Sequence, residues 1–188
     1  MLLLLLPILL AVLPLIQIGY ASPVTLVIDP DSGSYWTVVN YNGTASRSQW
    51  VEIYFWTQND WYYIGSTIAN ATGFYSGSFN VPSCAAGGHQ VKAFDTYTGE
   101  TAYATFTVVP KITYVDPLSG PFGTEILMQG YGFANESDIT VQFEYLTPLP
   151  VILPATLEKT ITTDSLGYFS IPNAIVVPGR ATGNYSIT

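Results

Sequence analysis

Few side chains in this 188-residue sequence are suited to covalent, redox or metal chemistry, and their spacing does not pair them. There is one cysteine, Cys84, and one histidine, His89. Zinc and thiolate-metal sites need three or four such ligands, and a Cys-His nucleophile needs motif context around both partners, so neither chemistry has its material here. No Ser-His-Asp arrangement gains support from the surroundings of His89. The 13 Asp and Glu fall mainly in turn-like stretches, with no spacing that selects the facing carboxylate pair of a glycosidase. Asp29-Pro30-Asp31-Ser32-Gly33-Ser34 has the outline of a calcium loop but lacks the distal Glu and further carboxylates, and turn chemistry accounts for it. Cys84 reads as a small buried residue and His89 as an ordinary strand-end residue. No catalytic residue, metal or other cofactor is expected.

Two residue sets remain. Four N-glycosylation sequons begin at Asn42, Asn70, Asn135 and Asn184, whereas chance placement of 8 Asn among 35 Ser and Thr predicts roughly 1.5. The first three sit in segments that read as loops, where a glycan can be attached; the competing explanation is that Asn, Ser, Thr and Gly abound in turns. The second set is aromatic: Trp50, Tyr54, Trp56, Trp61 and Tyr63. Trp50–Trp56 and Trp61–Ile68 read as two strands joined by Thr57-Gln58-Asn59-Asp60. Pairing Trp56 with Trp61 sets Phe55 opposite Tyr62 and Ile53 opposite Ile64 on the core face, and Tyr54 opposite Tyr63 on the other face. The five aromatics then share the outward face, where the second half of the chain has Thr140, Gln142 and Glu144. Such a face is covered by its own domain, or contacts another domain or copy, or stacks on sugar rings.

The rest of the chain must position that face. Runs rich in Val, Ile, Thr, Tyr and Phe alternate with Gly, Pro, Asn, Asp and Ser clusters, and no helical period is sustained after residue 21, so the fold class is all-β. A repeat runs through it. Ile28-Asp29-Pro30-Asp31-Ser32-Gly33 matches Val115-Asp116-Pro117-Leu118-Ser119-Gly120. Val51-x-Ile53-x-Phe55 matches Val141-x-Phe143-x-Tyr145, Gly73-Phe74-Tyr75-Ser76 matches Gly167-Tyr168-Phe169-Ser170, and Gly88 matches Gly183. The offset grows slowly along the chain, which means tandem units with insertions in the second; Thr147–Pro154 is one, apolar and Pro-rich. The expected division is 1–21, 22–109 and 110–188. Pro110-Lys111 forms nearly all of the linker, and a linker so short predicts a stiff pair. The second unit ends before a counterpart of Thr101–Val109, so its sandwich is expected to lack the last strand and the chain to be part of a longer protein.

Composition narrows the function classes further. Charged residues are 10% of the chain, less than half the usual share of about 25%. Five cations against 13 acids give a net charge of −8, which excludes a nucleic-acid binder. Fourteen Tyr, 9 Phe and 4 Trp exclude a disordered chain. Residues 1–21 hold 9 of the 17 leucines and no charge, and Gly19-Tyr20-Ala21 offers a small-x-small cleavage site, so the segment reads as a secretory signal peptide; an uncleaved membrane anchor is the alternative. The remainder is expected outside the cytoplasm, at a cell surface.

Residues 112–133 resemble the opening of the IPT/TIG immunoglobulin-like domains through Pro117, Ser119-Gly120-Pro121, Gly123-Thr124 and Gly130-x-Gly132-Phe133. Asp164-x-x-Gly167-x-Phe169-Ser170 with Val177-Pro178 is similar to the repeats of bacterial and archaeal surface-layer and adhesin proteins. In the first unit Ser34-Tyr35-Trp36-Thr37 replaces the Pro-x-Gly-Thr element. The resemblance implies two tandem immunoglobulin-like Greek-key β-sandwiches with an exported structural or adhesive role and no catalysis. Partners are then other surface-protein domains or copies of the chain; carbohydrate binding by the aromatic face, as an accessory to an enzyme, is the alternative.

Overall fold

The computed structural model describes residues 23–145, 156–177 and 185–187; the 1–21 segment, the Thr147–Pro154 insertion and Asn184 lie outside the described residues. Among the described residues all regular structure is β, as the alternating sequence requires. The first unit contains β1 (Val27–Asp29), β2 (Ser32–Gly33), β3 (Val38–Thr44), β4 (Trp50–Trp56), β5 (Trp61–Ile68), β6 (Phe74–Asn80), β7 (Gly87–Asp95) and β8 (Thr101–Val108). They form a three-stranded sheet, β1-β3-β6, facing a five-stranded sheet, β2-β8-β7-β4-β5. β1 and β2 are one edge segment that changes sheets at the cis Asp29-Pro30 bond and then runs parallel to β8. The second unit contains β9 (Lys111–Asp116), β10 (Glu125–Tyr131), β11 (Asp138–Tyr145), β12 (Thr156–Thr162), β13 (Phe169–Val176) and β14 (Tyr185–Ile187), in sheets β9-β10-β13 and β12-β11-β14. These orders repeat β1-β3-β6 and β5-β4-β7. Among the described residues the second unit has no counterpart of β2 or β8.

Period-two burial builds each core. Val51, Ile53 and Phe55 of β4 and Val91 and Ala93 of β7 are fully buried, together with Val39, Tyr75 and Phe106. Full burial of each large side chain stabilises the sandwich by about 1.5–3 kcal/mol. A separate, smaller core in the second unit gathers Met128, Val141, Phe169, Ile171, Ala174 and Ile175.

The repeat seen in the sequence is a repeat of contacts. A Cβ on Gly33 would stand 2.7 Å from Thr37 Oγ1, and the Thr124 side chain lies over Gly120 in the same way. Trp36, at φ 67°, takes the left-handed conformation that Gly123 takes at φ 85°. The turn is therefore preserved although the sequence element is not. Asn70 Oδ1 accepts from the N–H groups of Thr72 (2.9 Å) and Phe74 (3.0 Å), and Asp164 Oδ1 accepts from those of Leu166 and Tyr168 (2.9 Å each).

Three local expectations are corrected. The hairpin pairs Trp56 with Trp61, Phe55 with Tyr62 and Tyr54 with Tyr63 as expected, but Ile53 pairs with Gly65. Ile64 is the extra residue of a bulge, which a period-two reading cannot foresee. Tyr62 lies on the core side yet is 55% exposed, because β5 edges a five-stranded sheet that faces only three strands. His89 is a core residue: its Nδ1 lies 2.8 Å from the Trp56 carbonyl oxygen, its Nε2 2.8 Å from that of Ala85, and its ring stacks on Phe55. Asn42 belongs to strand β3 rather than a loop, with its side chain exposed.

Candidate functional site: an aromatic sheet face

The outer face of the five-stranded sheet carries the aromatic residues, and strand register decides which of them meet. Tyr103 of β8 pairs with Lys92 of β7, Lys92 with Tyr54 of β4, and Tyr54 with Tyr63 of β5. One transverse row, Tyr103-Lys92-Tyr54-Tyr63, thus crosses four strands. Along the same face Trp56 and Trp61 pair at the hairpin end, with ring centroids 5.3 Å apart and planes at 61°. Trp61 lies over the row, its ring 6.1 Å from that of Tyr103. Tyr54 and Tyr63 meet edge to face at 5.4 Å. Opposed aromatic pairs of this geometry contribute about 0.5–1.5 kcal/mol beyond burial.

Lys92 fixes the centre. Its Nζ lies 4.3 Å from the ring centroids of both Tyr54 and Trp61. The positive head sits against two ring faces, which the aromatic quadrupole favours. Next to it Tyr54 donates its O–H to Glu52 Oε2 at 2.5 Å. That hydrogen bond, with burial and the nearby Glu52 charge, pushes the phenol up to about 12, so Tyr54 remains a donor at neutral pH.

Of the five aromatics singled out by the sequence, Tyr54, Trp56, Trp61 and Tyr63 are brought together. Trp50 stands on the same face at the far end of β4, paired with Ile68, and is half exposed. Lys92, Tyr103 and Glu52 were missed. The signal for them was present in the alternation Gln90-x-Lys92-x-Phe94 and Thr101-x-Tyr103-x-Thr105 once Val91 and Ala93 point inward, but it needed the neighbour relation of β4, β7 and β8. The face offers flat apolar rings bordered by one cation, one carboxylate and phenolic donors. Cys84 is buried, its Sγ–H donates to the Pro82 carbonyl (3.4 Å), and burial pushes its thiol up to about 12. Among the described residues no three His, Cys, Asp or Glu side chains cluster as metal ligands do. Asn42, Asn70 and Asn135 have exposed side chains.

No family model matches the chain, and no curated protein matches it. Thirteen chains among solved structures match. One is a crystal structure of a tetra-tandem repeat in the extending region of a large adhesion protein, 18% identical, with a TM-score of 0.42 over 83% of this chain. This chain spans 41% of the length of that structure. Apart from that likeness, the strand orders and registers above make this an all-β chain of two immunoglobulin-like sandwiches in series.

Proposed function

We propose that the chain is a non-catalytic structural or adhesive region of an exported cell-surface protein, and that the aromatic face of the first sandwich is its lateral contact with copies of the chain or with neighbouring surface domains. The observation that carries this reading is the Tyr103-Lys92-Tyr54-Tyr63 row, on which Trp61 lies. Trp and Tyr side chains are favoured anchors of protein contacts, and here a sheet holds them in fixed positions, which lowers the ordering cost of docking. The charge-poor composition suits close packing outside the cell, where the apolar first 21 residues direct the chain. Glycans at Asn42, Asn70 and Asn135 would add the hydrophilicity that charge does not supply.

The test is sedimentation of the secreted chain across a concentration series. Self-association weakened at least tenfold by Trp61→Ala or Tyr103→Ala, with circular dichroism unchanged, is the expected outcome. A chain monomeric at every concentration that also ignores other surface-protein domains would defeat the reading.

Carbohydrate binding is the second reading, favoured by the polar groups Glu52, Tyr54 and Lys92 set among the rings, which supply the orienting contacts a sugar needs. A polysaccharide titration that shifts tryptophan emission, and loses the shift in Trp61→Ala, supports it in place of the first.

A further inference from the structure

The residues linking the two sandwiches do more than connect them. Tyr35, in the turn before β3, stacks on Tyr131 at the end of β10, with centroids 4.1 Å apart and planes within 15°. Tyr131 in turn packs on Tyr168 at 4.6 Å. Three phenol rings therefore run from the first unit into the second. Beside them the Ala86 N–H donates to the Phe133 carbonyl oxygen at 2.8 Å. Two glycines with positive φ let the backbones approach. A Cβ on Gly132 (φ 72°) would stand 3.0 Å from both Val108 Cγ1 and the Val109 carbonyl oxygen. A Cβ on Gly167 (φ 67°) would overlap the Phe133 carbonyl oxygen and stand 3.0 Å from Ala85 Cα.

We propose that this contact is a fixed joint, an internal docking surface in which Tyr35 and Ala85–Ala86 of the first sandwich seat Tyr131, Gly132 and Gly167 of the second and hold the pair at one angle. Only Val109 and Pro110 separate β8 from β9. So short a linker restricts the angle between the sandwiches, but a tether alone does not stop rotation about its own axis, and some relative motion is the ordinary expectation for domains without a contact of their own. The ring stack opposes that rotation because the flat faces must separate for it to occur. The Ala86–Phe133 hydrogen bond opposes it as well, and steric fit at Gly132 and Gly167 sets the angle. Trp36 contributes from behind: its left-handed backbone, uncommon for so bulky a residue, presents Tyr35 to the joint, and its ring lies 5.6 Å from that of Tyr35. The Gly130-Tyr131-Gly132-Phe133 run is thereby accounted for as joint-forming sequence as well as strand-end sequence. The joint is independent of what the aromatic sheet face binds.

The experiment places nitroxide labels on the full chain at Ser78→Cys in β6 and Thr160→Cys in β12, both exposed, leaving buried Cys84 in place, and reads the label-to-label distance distribution by pulsed electron resonance. A single narrow distribution is expected for the native sequence. Tyr35→Ala removes the stack and Gly132→Val wedges the backbones apart; each should broaden the distribution about twofold or more, with far-ultraviolet circular dichroism unchanged. Should Gly132→Val disturb folding, Tyr35→Ala decides alone. A native distribution as broad as that of the variants, or a Tyr35→Ala distribution as narrow as the native one, overturns the proposal. Variants of the sheet face, such as Trp61→Ala, should leave this readout unchanged.

Discussion

The Asp95 carboxylate and the Ser46 backbone, 49 residues apart in the chain, meet in the interior of the first sandwich, where Asp95 Oδ2 accepts the Ser46 N–H at 2.8 Å. Asp95 Oδ1 accepts from Tyr97 (2.9 Å) and Thr98 (3.4 Å), so a single carboxylate ties the β3–β4 loop to the turn after β7.

Burial alone would raise the Asp95 pKa, but the donors at Ser46, Tyr97 and Thr98 outweigh it and hold the group below the ordinary 3.8. A carboxylate depressed on folding contributes stability that is present above its unfolded pKa and is lost as pH falls through the folded one. Asp95→Ala is expected to cost about 2–3 kcal/mol at neutral pH, and the gap to the native protein should narrow below 3.8. Urea unfolding at a series of pH values checks this; a gap that stays constant into acid would show that Asp95 acts by packing alone.

Lys92 is held by two rings rather than by a carboxylate, and each cation–ring contact at a partly exposed site contributes about 0.5–1 kcal/mol. Lys92→Met should therefore lower stability by about 1–2 kcal/mol and shift the emission of Trp61. Lys92→Arg, which also stacks on aromatic faces, should retain most of the stability. Equal losses in the two variants would point to stem packing instead.

Cys84 is 1% exposed and its thiol is pushed up to about 12 by burial, so almost none of it is thiolate at neutral pH. An aromatic disulfide reagent should modify the native protein at least about a hundredfold more slowly than the urea-unfolded chain, since reaction requires local opening. Rapid labelling of the native protein would contradict the burial.

Asn70 is a turn residue whatever is attached to it. Its Oδ1 accepts from Thr72 Oγ1 (2.7 Å) as well as from two backbone N–H groups. Asn70→Ala should destabilise the unmodified protein by about 1–2 kcal/mol. Asn70→Asp should leave it within about 0.5 kcal/mol, because Asp164 serves the same turn in the second unit. The aspartate variant also abolishes the sequon, so a mass comparison of the two proteins made in a glycosylating host then reports modification at Asn70 separately from folding.

Much of the fold was readable because it is local. Alternation fixed the strands of the Trp50–Ile68 hairpin, and its first three pairs follow from a single turn. The register failed at Ile53 because the bulge inserts one residue, Ile64, and reverses the alternation beyond it, where Gly65, Ser66 and Thr67 offer no large apolar side chain to mark the change. The element Ser34-Tyr35-Trp36-Thr37 concealed its kinship with Pro121-Phe122-Gly123-Thr124, since the turn needs a left-handed residue and Trp36 supplies it at a backbone cost that glycine avoids. The aromatic face was half legible: Tyr54, Trp56, Trp61 and Tyr63 lie within one hairpin, while Lys92 and Tyr103 come from strands 30 to 50 residues away.

Residue type and short spacing sufficed for the all-β chain, the internal repeat and the outward direction of the hairpin aromatics, because each depends on nothing more distant. Tertiary structure decided that Lys92 is sandwiched between Tyr54 and Trp61, that His89 is buried between two carbonyl groups, and that Tyr35 of one sandwich meets Tyr131 of the next. Those contacts depend on which strands are neighbours and on how one domain seats against another. Such choices are made by the packing of distant segments, and period-two alternation carries no record of them.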